Sequence, residues 1–201
     1  GIETFSGLGS SDTLQVGAQS INLASAGAGT VAGTGNFSGF ESITGTGSLT
    51  ASGLTAANFS DITTGVLTSG GTTSISGFAA MTLTGSAGND TLTVSKAAGL
   101  EVLLSSAGTG SVGGATTQFN GFETLTGSGS GDTLTSSASG SFQLNGTAGS
   151  GSLFGTTFNT FENLKGNAGA DTLTAAGTTT ARYNLSGALA GTVSIGGSLM
   201  A

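Results

Sequence analysis

The stretch Phe119-Asn120-Gly121-Phe122-Glu123-Thr124-Leu125-Thr126-Gly127-Ser128-Gly129-Ser130-Gly131-Asp132-Thr133-Leu134-Thr135 carries both signatures from which this chain is built. Its first half places apolar residues three apart, at Phe119, Phe122 and Leu125. The same triad recurs at Phe37/Phe40/Ile43, Ile75/Phe78/Met81 and Phe158/Phe161/Leu164. Glu follows the central Phe at Glu41, Glu123 and Glu162, and a worn copy reads Phe78-Ala79-Ala80-Met81. The second half, Asp-Thr-Leu after a glycine-rich turn, recurs at Asp12, Asp90 and Asp171. A fifth triad, Leu199/Ile2/Phe5, appears if Ala201 is followed by a second Gly1, and central residues then fall 38 to 44 residues apart. The 201 residues therefore read as one continuous solenoid that closes on itself in phase, with approximate sub-repeats 1–38, 39–76, 77–120, 121–159 and 160–201.

Composition narrows the chemistry. Thirty-nine glycines suggest low complexity, yet disorder needs low hydrophobicity and high charge. Here hydrophobic residues make up 36% and charged residues 6%, with regular apolar spacing, which favours a packed fold. With no His or Cys there is no imidazole base, thiolate or ordinary zinc site. Lys96, Lys165 and Arg182 are the only basic residues and the net charge is −7, so nucleic acid is not an expected partner. No apolar run approaches the roughly 20 residues of a membrane span, and no signal peptide is visible.

Within each repeat, Leu125/Leu134 and Leu144/Leu153 are both nine residues apart, so each repeat reads as two like halves of 19–20 residues. That predicts an all-β fold, a parallel β-solenoid of about ten coils with no caps. Thr133-Leu134-Thr135 would put Leu on one face and both Thr on the other. Gly and Ser would form the corners, and a corner or bulge should interrupt each triad, because a spacing of three breaks strand parity. The second repeat lacks Asp-Thr-Leu, and Asn58-Phe59-Ser60-Asp61-Ile62 reads as a bulge or insertion. Coils that cannot bury an apolar face alone must stack on neighbours.

The turns Gly85-Ser86-Ala87-Gly88-Asn89-Asp90-Thr91-Leu92-Thr93 and Gly166 to Thr174 resemble the calcium-binding nonapeptide of RTX (hemolysin-type) repeats. That resemblance implies Ca²⁺ at Asp12, Asp90, Asp132 and Asp171. RTX turns run in tandem, however, whereas Gly151 or Gly191 stands in the intervening coil here. Successive Asp turns would lie about 9.6 Å apart, too far to share an ion. The residues themselves favour Asp as a turn cap, with no cofactor required. Glu3, Glu41, Glu123 and Glu162 read as a solvated, mutually repelling row. Paired carboxylates can hydrolyse glycosides, but these recur with the repeat and build no unique cleft, so the chain is not expected to be an enzyme.

Taken together, Gly121 to Gly127 followed by Asp132-Thr133-Leu134 looks like the repeats of large bacterial exported proteins, the filamentous-haemagglutinin-like and RTX-like adhesins. The resemblance implies a structural or adhesive segment of an extracellular or cell-surface fibre. Its partners would be further copies of itself, joined end to end through Ile2, Phe5 and Leu199. A calcium-stiffened RTX-like segment is the alternative. Two further alternatives are an ice-binding solenoid, from the Thr-x-Thr pairs at Thr82/Thr84, Thr91/Thr93, Thr124/Thr126, Thr133/Thr135 and Thr172/Thr174, and a functional amyloid, favoured by low charge and no proline.

Overall fold

The computed structural model describes the backbone of residues 4–167, 169–175, 181–187, 190–195 and 198–200, and side chains up to residue 175. Among these residues there is no helix, and all regular structure is strand. The density of Gly, Ser and Thr disfavours helix, while the β-branched and aromatic residues suit a pleated surface.

Two single strands come first, β1 (Thr4–Ser6) and β2 (Thr13–Gln15). The chain then repeats a five-strand unit: a three-stranded antiparallel meander followed by two single strands. The first unit is β3 (Ile21–Ser25), β4 (Ala28–Val31), β5 (Gly35–Ser38), β6 (Ser42–Thr44) and β7 (Ser48–Leu54). The second is β8 (Ala56–Asp61), β9 (Thr64–Thr68), β10 (Thr72–Ser76), β11 (Ala80–Gly85) and β12 (Thr91–Val94). The third is β13 (Glu101–Ser106), β14 (Thr109–Val112), β15 (Thr117–Asn120), β16 (Thr124–Gly127) and β17 (Thr133–Ser136). The fourth is β18 (Ser141–Leu144), β19 (Gly151–Leu153), β20 (Thr156–Asn159), β21 (Asn163–Lys165) and β22 (Thr172–Ala175). A fifth meander follows, β23 (Ala181–Gly187), β24 (Ala190–Ile195) and β25 (Ser198–Met200).

Strands β1 to β22 form a parallel β-solenoid with two 11-stranded walls, and β23–β25 form a separate three-stranded sheet. One wall runs β1-β5-β4-β3-β7-β11-β15-β14-β13-β17-β21, the other β2-β6-β10-β9-β8-β12-β16-β20-β19-β18-β22. Pairing within a meander is antiparallel; every pairing between a meander and its neighbours is parallel. A unit visits the walls three times, an odd number, so successive meanders fall in opposite walls. The chain also climbs unevenly. From β2 in first position it enters β3 at the fourth position of the opposite wall, and the meander brings it back to the second at β5.

The solenoid has about five turns, built from the five-strand units, rather than about ten coils of 19–20 residues. Two kinds of nine-residue spacing were conflated in that expectation. Leu125 and Leu134 lie on strands of opposite walls, β16 and β17, whereas Leu144 and Leu153 belong to one hairpin, β18 and β19. A crossing and a hairpin consume the same number of residues, and both return an apolar side chain to the core.

The triads are the crossings. Phe119 lies on β15, the last strand of a meander, Phe122 lies between walls, and Leu125 lies on β16 opposite. All three are buried, as are Phe158 with Phe161 and Ile75 with Phe78 and Met81. The rings meet edge to face, with centroids 6.1 Å apart for Phe119 and Phe122 and 6.4 Å for Phe158 and Phe161. That is a favourable geometry for aromatic quadrupoles. The expected corner inside each triad is present. The irregularity at Asn58 to Ile62 is a register shift between Phe59 and Asp61 where β8 meets β9, and matching shifts occur at Leu23/Ser25 and Leu104/Ser106.

Three buried threonines tie the walls together, and the sequence reading missed them. Gly27 N–H donates to Thr73 Oγ1 at 2.6 Å, and Gly108 N–H to Thr156 Oγ1 at 2.7 Å. Thr117 Oγ1 donates to the Ile62 carbonyl at 2.9 Å. In each case the tip of one meander's first hairpin is held by the last strand of the next meander. Gly27 and Gly108 have φ of 61° and 62°, and a Cβ at Gly27 would meet the Phe40 carbonyl at 2.2 Å. Glycine is required there.

Two outcomes follow from this packing. Phe122→Ala should cost about 3–5 kcal/mol in urea unfolding through lost burial and a residual cavity. Thr156→Val should cost about 1–3 kcal/mol by leaving a buried N–H unpaired, whereas Thr156→Ser should recover most of it.

Candidate functional site

The acidic residues form paired clips rather than two independent rows. Asp12, Asp90, Asp132 and Asp171 each immediately precede the second single strand of a pair, at β2, β12, β17 and β22. Glu41, Glu123 and Glu162 precede the first single strand of the following pair, at β6, β16 and β21. Parallel pairing sets each Asp beside a Glu: β2 on β6, β12 on β16, and β17 on β21.

The hydrogen bonds at these positions are reciprocal. Asp12, Asp90 and Asp132 donate their backbone N–H to the Oε2 of Glu41, Glu123 and Glu162 at 2.8, 2.9 and 2.9 Å. Their carbonyls accept from the N–H of Ser42, Thr124 and Asn163 at 3.1, 3.0 and 3.0 Å. Each clip thus satisfies a strand's first donor and acceptor where the sheet ladder begins. The Glu side chains are not a free repelling row: Glu123 is exposed and Glu41 and Glu162 are half-buried, but one oxygen of each is held by a backbone N–H. Glu3 lies outside the described residues.

The Asp side chains cap their own turns. Gly9 N–H donates to Asp12 Oδ2 at 2.6 Å, Ser128 N–H to Asp132 Oδ2 at 2.9 Å, and Asn167 N–H to Asp171 Oδ2 at 2.8 Å. The second oxygen of Asp132 accepts from Leu100 N–H, and that of Asp171 from Gly140 N–H, both at 2.8 Å, so these side chains also anchor the start of the preceding meander, at β13 and β18. Asp90 differs: Oδ1 accepts from Ser86 Oγ at 2.7 Å, while Oδ2 is buried with no protein partner. The reason lies next door, since Ser86 N–H is taken by the Leu54 carbonyl at 2.8 Å.

The pairing of the two acids shows in the one join that lacks both. Where β7 meets β11, Gly47 replaces Asp and Ala79 replaces Glu. A Cβ at Gly47 would meet the Gln19 carbonyl at 2.1 Å, so position 47 excludes any side chain. Both carboxylates of the clip are absent here, while the Gly47 carbonyl still accepts from Ala79 N–H at 2.9 Å.

The candidate metal ligands are dispersed. Asp12, Asp90 and Asp171 sit at the first, sixth and eleventh positions of one wall, and Asp132 at the tenth of the other. The expected column of Asp turns two coils apart does not form. Among the described residues no three His, Cys, Asp or Glu side chains converge. Burial raises the Asp132 carboxyl above its ordinary range, against the opposing hydrogen bonds from Leu100 and Ser128 N–H, and the Glu162 charge adds to the rise. Asp61 is held below the usual range by its hydrogen bond from Lys96, 2.9 Å away at the surface.

The other candidate surfaces are incomplete. Thr91/Thr93 and Thr124/Thr126 lie in register on adjacent strands, but the neighbours are Thr157/Asn159 on one side and Ala56/Asn58 on the other. Thr82/Thr84 and Thr133/Thr135 lie on the opposite wall, where Thr135 is buried and donates to Glu101 Oε1 at 2.6 Å. Of the junction residues, Phe5 lies half-buried on β1 against the core. Ile2 and the Leu199 side chain lie outside the described residues.

No protein-family model, curated protein or solved structure matches the chain.

Removing a clip acceptor by Glu162→Ala should cost about 1–3 kcal/mol, with Glu162→Gln milder because one oxygen remains. The raised Asp132 carboxyl binds its proton more tightly folded than unfolded. Its ionisation therefore penalises the fold above the folded pKa, and the penalty fades as pH falls toward the unfolded value near 3.9. Urea midpoints measured across this window should show wild type gaining on Asp132→Asn as pH drops.

Proposed function

We propose that this chain is a structural and adhesive repeat segment of an extracellular or cell-surface fibre, extended by end-to-end stacking of solenoid turns. One observation carries the reading: the join between units is self-similar. The last strand of each meander lies parallel to the first single strand of the preceding pair, as in β5 on β1, β10 on β6, β15 on β11 and β20 on β16. Any surface that accepts one unit has the form to accept another. At one end of the walls, β1 and β2 each pair on one side only among the described residues. An unpaired edge above a half-covered apolar residue such as Phe5 is a template for another strand. The resemblance to exported adhesin repeats supports the extracellular setting.

The test is the mass of the native polypeptide under denaturing conditions, together with light scattering of the isolated segment. A mass many times that of 201 residues means covalent tandem turns. A mass of one segment requires the isolated chain to elongate, and Phe5→Lys to suppress elongation. A single-segment mass with no elongation at high concentration ends the reading.

A calcium-stiffened form of the segment has the buried Asp90 Oδ2 in its favour. Added Ca²⁺ should then raise the unfolding midpoint, and Asp90→Asn should abolish that rise; an unchanged midpoint removes this form.

A further inference from the structure

We propose that the meander β23–β25 docks on the free edge of β21, with β25 parallel to it and Leu199 opposite Leu164. Among the described residues β23–β25 forms a three-stranded sheet that pairs only within itself, while β21 pairs on one side only, with β17. Three observations converge on the docking.

First, β23–β25 is built like the meanders that precede it. Its strands are antiparallel, and its first hairpin shifts register between Leu185 and Gly187, as the others do at Leu23/Ser25 and Leu104/Ser106. Second, every earlier meander makes one and the same join, its last strand parallel to the first single strand of the pair before it. By that rule the partner of β25 is β21. Third, the register is fixed by the apolar triads. The first triad residue faces the third of the preceding triad in Phe37 on Phe5, Ile75 on Ile43 and Phe158 on Leu125. The exception, Phe119 on Leu83, moves two residues along the longer β11, at the worn motif copy. Leu199 begins a triad and Leu164 ends one, which sets Ser198 on Asn163 and Met200 on Lys165.

The linker allows the docking. Residues 176–180 separate β22 from this meander, the same length as 16–20 between β2 and β3. Docked, β23–β25 occupies the β21 edge itself and keeps a second copy off it. Growth at this end then has to begin on the outer strand of the docked meander. This goes beyond the fibre reading and survives its failure, because docking occurs within one chain.

Cysteine pairing tests it, since the chain has no cysteine of its own. In register, parallel neighbours put Cα atoms about 4.8 Å apart, inside the roughly 4.4–6.8 Å window of a disulfide. Lys165→Cys with Met200→Cys, oxidised at low protein concentration, should give a monomeric disulfide at several times the yield of Lys165→Cys with Ser198→Cys. Both pairs should keep the parent β-sheet circular dichroism. Equal yields in the two pairs, a preference for the Ser198 pair, disulfides only between chains, or none in folded protein would each overturn the proposal.

Discussion

A strand of three residues cannot hold an edge by itself, and that constraint organises this protein. Its strands are three to seven residues long, and the single strands that alternate between walls are mostly at the short end. Each offers only a few ladder hydrogen bonds before the chain must cross to the other wall. Stability must come from neighbours above and below, and from a core continuous along the axis. The meanders supply those neighbours. By running forward and returning, each brackets its strands between a pair already laid down and a pair still to come. The unit is consequently not a domain. Its hairpin tips are held by threonines of the following unit, and its strand starts are clipped by that unit's glutamates.

The crossings were legible in the sequence, and the meanders were not. A spacing of three can be neither a strand nor, amid so much glycine, a helix, so Phe119, Phe122 and Leu125 announce a corner. A nine-residue leucine spacing has no such signature. Leu125 to Leu134 bridges two walls and Leu144 to Leu153 turns a hairpin, yet both segments are glycine-rich and both return a leucine to the core. Only the partner strand distinguishes them, and partners are non-local. The threonine ties left a faint trace. Thr73, Thr117 and Thr156 each lie two residues before a triad, the inward-facing position of a strand, where a hydroxyl needs a partner.

The acidic pattern was read as two separate rows because Asp and Glu lie about 30 residues apart, and parallel pairing alone brings them together. The repeat whose irregularity had no account in the sequence supplies the check. Where Gly47 leaves no room for an Asp side chain, the matching Glu is absent as well. The carboxylates therefore serve the corner as coupled acceptors, with charge tolerated because backbone N–H groups point at the oxygens. This also explains how a chain with so few basic residues keeps buried acids, such as Asp132, without cationic partners.

The odd number of wall visits in each unit has a consequence for anything that touches the outside. Meanders alternate between walls, so the two outer faces carry the same sequence of features, offset by one unit. The rod has no front and no back. A ligand, a neighbouring rod or a surface that recognises the outer face of one meander meets its equivalent on the opposite side one unit later. The solenoid thus presents the same backbone element on both of its faces by construction.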